Sequence, residues 1–252
     1  MIDLSQAAVL GVAFCAIAFL FSSVGHGGAS GYLAILSLAG LMSAAMVPVV
    51  LVLNILVAAI GLYMFWSEGH LRSRILLPFV IASVPAAFVG GLLHVEEAYL
   101  RLFLGIFLIL AAARIFIIRG STAPVRTVDR RILWMVGLGS GSVLGLLSGM
   151  IGIGGGVFLS PLLLLLRWTD PKQTAAIASA FIVVNSCSGL AGHLTRGNLV
   201  PGPWLLLVAA VIIGGWLGSF AGAKRLSVPH LQTVMSVVLV LAGLKLVLPV
   251  LM

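Results

Sequence analysis

Charge is the scarcest feature of this chain. Only 8% of its 252 residues are Asp, Glu, Lys or Arg, where a soluble domain carries roughly 25%. A water-soluble fold of this length needs more polar residues to cover its surface, so a soluble enzyme is excluded. Acids are rarest of all. Asp3, Glu68, Glu96, Glu97, Asp129 and Asp170 are the full set, and each falls at the end of an apolar run or in a loop. Cation transporters usually place carboxylates inside the bundle, where they are costly and functional. Their absence from the runs points to a neutral or anionic substrate. Cysteine is nearly missing too. Cys15 and Cys187 lie far apart in apolar segments, with neither a disulfide framework nor metal-ligand spacing. There is no HExxH, no Walker pattern and no nucleophile with a base at motif spacing. No catalytic set, nucleotide site, metal or cofactor is therefore expected.

What is abundant is apolar. Hydrophobic residues make up 62%, against about 45–50% in an average protein. The 30 glycines lie inside apolar runs without a three-residue period, which excludes collagen. The net charge of +8 comes from 14 Lys and Arg that sit mostly at run ends, where membrane orientation is encoded. They form no cluster interleaved with aromatics, so nucleic acid is not the partner; the lipid bilayer is. The first six residues carry Asp3 and no basic residue, unlike the positive start of a secretory signal, and the first run reads as a retained span.

Ten apolar segments emerge, at about 7–24, 29–41, 44–66, 73–93 and 98–118, then about 132–151, 157–167, 174–193, 202–222 and 230–250. The fold class is all-α and polytopic, with about eight to ten membrane segments. Residues 1–118 form a first repeat and 132–252 a second, joined by a basic linker over 119–131. Three features occur in both halves in the same order. Gly25-His26-Gly27-Gly28-Ala29 matches Gly152-Ile153-Gly154-Gly155-Gly156, Asn54 matches Asn185, and Pro85-Ala86-Ala87-Phe88-Val89-Gly90-Gly91 matches Ile213-Gly214-Gly215-Trp216-Leu217-Gly218-Ser219. Such internal symmetry is common in secondary transporters. With ten crossings, eleven of the basic residues lie on the linker side and only Arg101, Arg196 and Lys245 lie opposite. This favours inverted halves, a cytoplasmic linker and both termini outside. The competing layout keeps eight spans and lets 29–41 and 157–167 dip in, because 13 residues reach only about 20 Å.

The short segments point to the substrate. A run of glycines breaks a helix and lets the backbone approach a ligand. The new helix then begins with unpaired N–H groups and a positive dipole end, which favours an anion. Two such ends near mid-membrane would cradle a small anion through Gly25, Gly27, Gly28, Gly152, Gly154, Gly155 and Gly156. Asn54 and Asn185 each add two amide donors, and Ser30 a hydroxyl. His26 could donate to an oxyanion or carry a coupling proton. Packing is the competing role for these residues, since small residues also let membrane helices approach closely. Ser186 and Ser188 are further candidate donors of lower weight. His193 reads as interfacial, Cys187 as a small apolar filler, and Trp66, Trp134, Trp168 and Trp204 as an aromatic belt.

The duplicated glycine loop, above all Gly152-Ile153-Gly154-Gly155-Gly156 followed by Pro161, together with Asn54 and Asn185, resembles the TauE/SafE family of membrane permeases. The resemblance spans nearly the whole chain. It implies export of small sulfur-containing anions, such as sulfite or an organosulfonate, across a bacterial inner membrane. Two departures stand out: Ala29 ends the first loop where a glycine ends the second, and Ala34 stands where the second half has Pro161. The expected function is a secondary transporter working by alternating access. An anion channel or a scaffold without solute flux are the alternatives. Lipid-facing and partner-facing positions read alike, so a homodimer stays open.

Overall fold

Apolar runs in lipid must satisfy their own backbone hydrogen bonds, and a helix does so within one segment. In the computed structural model, which describes residues 4–41, 46–93, 98–117, 125–195 and 205–251, every described secondary element is helical. The elements are α1 (Leu4–Ser22), α2 (Ala29–Leu38), α3 (Met46–Ser67), α4 (Ser73–Leu92), α5 (Ala98–Ile117), α6 (Arg130–Ile151), α7 (Gly156–Leu166), α8 (Pro171–Leu194), α9 (Leu205–Phe220) and α10 (Val228–Leu251). A π-helical turn, Ala221–Arg225, prolongs α9. Among the described residues six helices are long and apolar enough to cross a membrane, and four more are apolar but shorter. The expected segments agree with these helices to within a few residues. Trp204, Arg196 and residues 119–124 of the linker lie outside the described residues.

Polar contacts place several chain turns at one end of the bundle. Glu68 after α3 pairs with Lys224 after α9 at 3.2 Å. Lys172 in the first turn of α8 donates to the Ala223 carbonyl at 2.9 Å. The Arg126 N–H before α6 donates to the Arg167 carbonyl after α7 at 2.7 Å. This basic end therefore holds the end of α3, the start of α8, the end of α9 and both outer ends of the α6–α7 pair.

Glycine stripes set the closest packing. Gly137, Gly141, Gly145 and Gly149 of α6 lie against Pro78, Phe79, Ser83 and Ala87 of α4, so near that a β-carbon at any of them would strike that helix. Gly214, Gly218 and Gly222 lie in the same way against the carbonyls of Cys15, Phe19 and Ser23 at the α1 end. Small residues at four-residue spacing let membrane helices reach backbone contact. The packing pairs off between the halves: α4 with α6 and α9 with α1, α4 with α8 and α9 with α3, α5 with α7 and α10 with α2.

Three expectations change. Trp168 is buried among Phe79, Leu163 and Phe181 rather than lying in an interfacial belt. The reason is local: Arg167 takes a left-handed conformation (φ 58°), and the Trp168 N–H returns to the Leu163 carbonyl at 3.1 Å. This closes α7 with a Schellman motif and folds the indole under the helix. His193 is buried as well, with Nε2 3.1 Å from the Gly149 carbonyl, because the α6 glycine stripe admits α8 so closely. Cys187 is exposed on the bundle surface rather than filling a gap.

Candidate functional site

Gly25 (φ 76°) and Gly28 (φ 96°) turn the chain between α1 and α2, and Gly152, Gly154 and Gly155 (φ 76°, 73° and 75°) do so between α6 and α7. Left-handed backbone of this kind is the conformation glycine adopts without strain. The loops enter from opposite ends. Gly25 lies against Ala175 and Gly152 against Val47, the former near the start of α8 at the basic end and the latter near the start of α3 at the far end. The cap glycines then fold back toward the middle, where a β-carbon on Gly27 would collide with Asn54 Oδ1. One on Gly154 would sit 2.6 Å from Asn54 Nδ2 and 2.7 Å from Ser186 Oγ. Asn54 lies 13 residues before the end of α3, roughly 20 Å along the helix at 1.5 Å per residue, which is mid-bundle.

Asn54 touches both loops. Its Oδ1 accepts from the Ala29 N–H at 3.1 Å, capping α2 from outside the helix, and its Nδ2 donates to Ser186 Oγ at 2.9 Å. It is 1% exposed. Tyr32 closes the first loop by donating to the Gly27 carbonyl at 3.1 Å and stacks on Phe14 with centroids 4.7 Å apart. Ser179 donates to carbonyls including that of Gly25 at 2.9 Å. His26 Nε2 stands 2.8 Å from Ser160 Oγ, whose hydroxyl donates to the Gly156 carbonyl at 3.0 Å. That chain links the first loop to the second helix end. Ser30 is buried in the first turn of α2.

The second loop is held differently. Gly155 caps α7, and a β-carbon there would lie 2.9 Å from the Phe181 ring and 3.1 Å from Ser148 Cβ. On α8 the side chains nearest a β-carbon on Gly154 are Ser186, at 2.7 Å, and Ile182, at 2.9 Å. Asn185, next to Ser186, spends its amide on the Phe181 carbonyl at 2.8 Å. So the structure brings the two loops, Asn54, Ser186 and His26 together, and leaves Asn185 beside them without the capping role of Asn54. Ser188 donates instead to the Val84 carbonyl at 2.6 Å.

Sequence reading passed over Ser160, Ser148, Ser179 and Tyr32. Ser160 left one usable sign: it is the single hydroxyl in the aliphatic run of α7, four residues after Gly156. Of the six acids, Glu68, Asp129 and Asp170 fall among the described residues. Glu68 pairs at the surface, while Asp129 and Asp170 cap α6 and α8. Among the described residues no group of His, Cys, Asp and Glu could hold a metal ion.

The family model described as sulfite exporter TauE/SafE matches residues 9–246. The chain is 37% identical over 246 residues to the probable membrane transporter protein y4hK of Sinorhizobium fredii, covering 96% of this chain and 98% of that one. It is 26% identical over 194 residues to the probable membrane transporter protein YunE of Bacillus subtilis, 68% of each chain. Over 175 residues it is 29% identical to the probable membrane transporter protein MJ0441 of Methanocaldococcus jannaschii, 66% of this chain and 64% of that one. No solved structure matches. A multi-pass membrane protein with apolar helices along its length and this family match across nearly all of it, the chain belongs to the TauE/SafE sulfite exporter family, a family of transporters rather than enzymes.

Proposed function

We propose that this protein is a secondary transporter of the inner cell membrane that exports a small oxyanion, with sulfite as the first candidate, by alternating access. The observation that carries the reading is the meeting of two glycine loops, entering from opposite ends, at the buried Asn54. Each loop opens a short helix whose N-terminus lies inside the bundle, where unpaired N–H groups and the helix dipole favour negative charge. Broken helices at the interface of two repeats are the usual binding place in secondary transporters. The described acids lie at helix ends and caps, which supports an anion over a cation.

The two termini are not equivalent. Asn54 already occupies the first N–H of α2, whereas among the described residues no side chain caps α7, whose N-cap is Gly155. The end of α7 is therefore the stronger anion seat. Inverted halves suit the pairing of helix contacts and the way α3 ends where α8 begins. In that layout α2 and α7, each with its loop, complete a traverse, and the basic end is cytoplasmic. An inside-negative potential then drives a monovalent anion outward by about 2.3 kcal/mol per 100 mV.

Flux through purified protein in liposomes tests this. Gly155→Val places a branched side chain at φ 75° against Phe181 and Ser148 and should abolish uptake while the protein still inserts. Normal flux in that variant contradicts the site. Counterflow separates a carrier from a channel, which would need a ring of basic residues along its pore. Proton coupling through His26 is read by imposing a pH gradient.

A further inference from the structure

The donors that an anion site would be expected to offer are largely engaged within the protein. Asn54 Nδ2 is on Ser186 and Asn185 Nδ2 is on the Phe181 carbonyl. Two of the groups that stay unpaired around α7 are of the opposite kind. Asn185 is fully buried and its Oδ1 has no partner. Its amide cannot be turned over, because the Phe181 carbonyl only accepts, so the atom left open is a carbonyl oxygen. His26 is 2% exposed and its Nδ1 has no partner. Ser160 spends its single proton on the Gly156 carbonyl, so at Ser160 Oγ the imidazole Nε2 is the donor. A neutral imidazole carries one N–H, which leaves Nδ1 as a lone pair. Ser148 Oγ, 1% exposed and also unpartnered, flanks Gly155 from the α6 side, and as a hydroxyl it can donate to the anion itself.

Buried polar groups in folded proteins find partners, and an orphaned acceptor asks for a donor. Both acceptors sit one side chain away from the cap of α7: Asn185 through Phe181, which packs on Gly155, and His26 through Ser160, which bonds Gly156. A bare oxyanion supplies only acceptors. It would satisfy the N–H groups of α7 and leave Asn185 and His26 unpaired.

Resting on the anion-carrier reading, we infer that the transported species carries a hydrogen-bond donor beside its anionic group, its oxyanion seated on the α7 N-terminus and its O–H or N–H directed to Asn185 Oδ1 and His26 Nδ1. A protonated monoanion or an amino-bearing sulfonate fits this description. A fully deprotonated dianion does not.

Two anions of nearly equal size and charge separate the cases. Sulfamate carries N–H donors where methanesulfonate carries a methyl group. Each is titrated as a competitor of labelled sulfite uptake into liposomes holding the intact protein. Sulfamate is expected to compete at about tenfold lower concentration, the scale of one hydrogen bond made against one forgone. Asn185→Leu should bring the ratio of the two close to one. His26→Ala, read by the same ratio, serves where Asn185→Leu fails to insert. Equal competition in the unaltered protein overturns this inference and leaves the anion carrier standing. A sulfamate preference that survives undiminished in both variants overturns the assignment to these two acceptors. Absence of saturable sulfite uptake overturns the carrier reading and this inference with it.

Discussion

Asn54 of α3 and Ser186 of α8 are joined by a buried hydrogen bond of 2.9 Å, and the same asparagine caps α2 through Ala29 at 3.1 Å. One side chain thus ties a helix of the first half to a helix of the second and fixes the end of a broken helix between them. Asn54→Ala leaves the Ala29 N–H and the Ser186 hydroxyl to find new partners. Interhelical hydrogen bonds in membranes average about 0.6 kcal/mol, but an orphaned buried donor adds about 1–3 kcal/mol. The second effect wins here, and a loss of about 1–2 kcal/mol is expected in detergent unfolding. Asn54→Asp keeps the acceptor for Ala29 but sets a carboxylate between the loops. It should insert and yet fail to move an anion.

Two glycines on α6, only two residues apart, have opposite fates. Gly141 meets the Phe79 backbone at 2.5 Å from where its β-carbon would be, while Gly139 has nothing within 4 Å. Gly141→Ala should cost about 1–3 kcal/mol through forced separation of α4 and α6. Gly139→Ala should be neutral or stabilising by up to about 1 kcal/mol, because alanine is the better helix former. Unfolding of the two variants side by side reads the difference.

The ten α-helices of the described residues were legible because continuous apolar runs of this length leave the backbone no other solution. The glycine loops were legible because consecutive glycines interrupt such a run. The separate roles of the asparagines were not: Asn54 and Asn185 look equivalent by order, but Asn54 caps α2 at Ala29 while Asn185 spends its amide within its own helix, on Phe181. Local backbone hid Trp168, whose burial depends on the conformation of Arg167 and not on hydropathy. The α6 stripe of Gly137, Gly141, Gly145 and Gly149 was readable at four-residue spacing, yet the partner helix it selects is a tertiary fact.

Arg167 is the one non-glycine residue with positive φ among the described residues, at 58°. A left-handed conformation costs an ordinary residue about 1–2 kcal/mol. Arg167→Gly should therefore raise stability, by about 1 kcal/mol after the loss of backbone entropy in the unfolded chain. A lower unfolding midpoint would show that the guanidinium contributes more than the strain costs.

His70 lies between α3 and α4 at the basic end. Partial burial lowers its pKa below 6.5, with the neighbouring Lys172 acting in the same direction. The folded state therefore binds fewer protons than the unfolded one, so the contribution of neutral His70 is present above the unfolded pKa. It is lost as pH falls from there through the lower folded value. Detergent-solubilised protein should lose stability on acidification below about pH 6.5, and His70→Gln should flatten that part of the profile. An unchanged profile in His70→Gln would assign the acid sensitivity elsewhere.

Uptake of labelled sulfite into proteoliposomes shows whether the paired glycine loops move an anion. Empty liposomes and Gly155→Val serve as controls, under an imposed potential and pH gradient. Saturable uptake by the unaltered protein that disappears in Gly155→Val is the predicted result. Uptake no greater than that of empty liposomes, or uptake that Gly155→Val leaves intact, would contradict it.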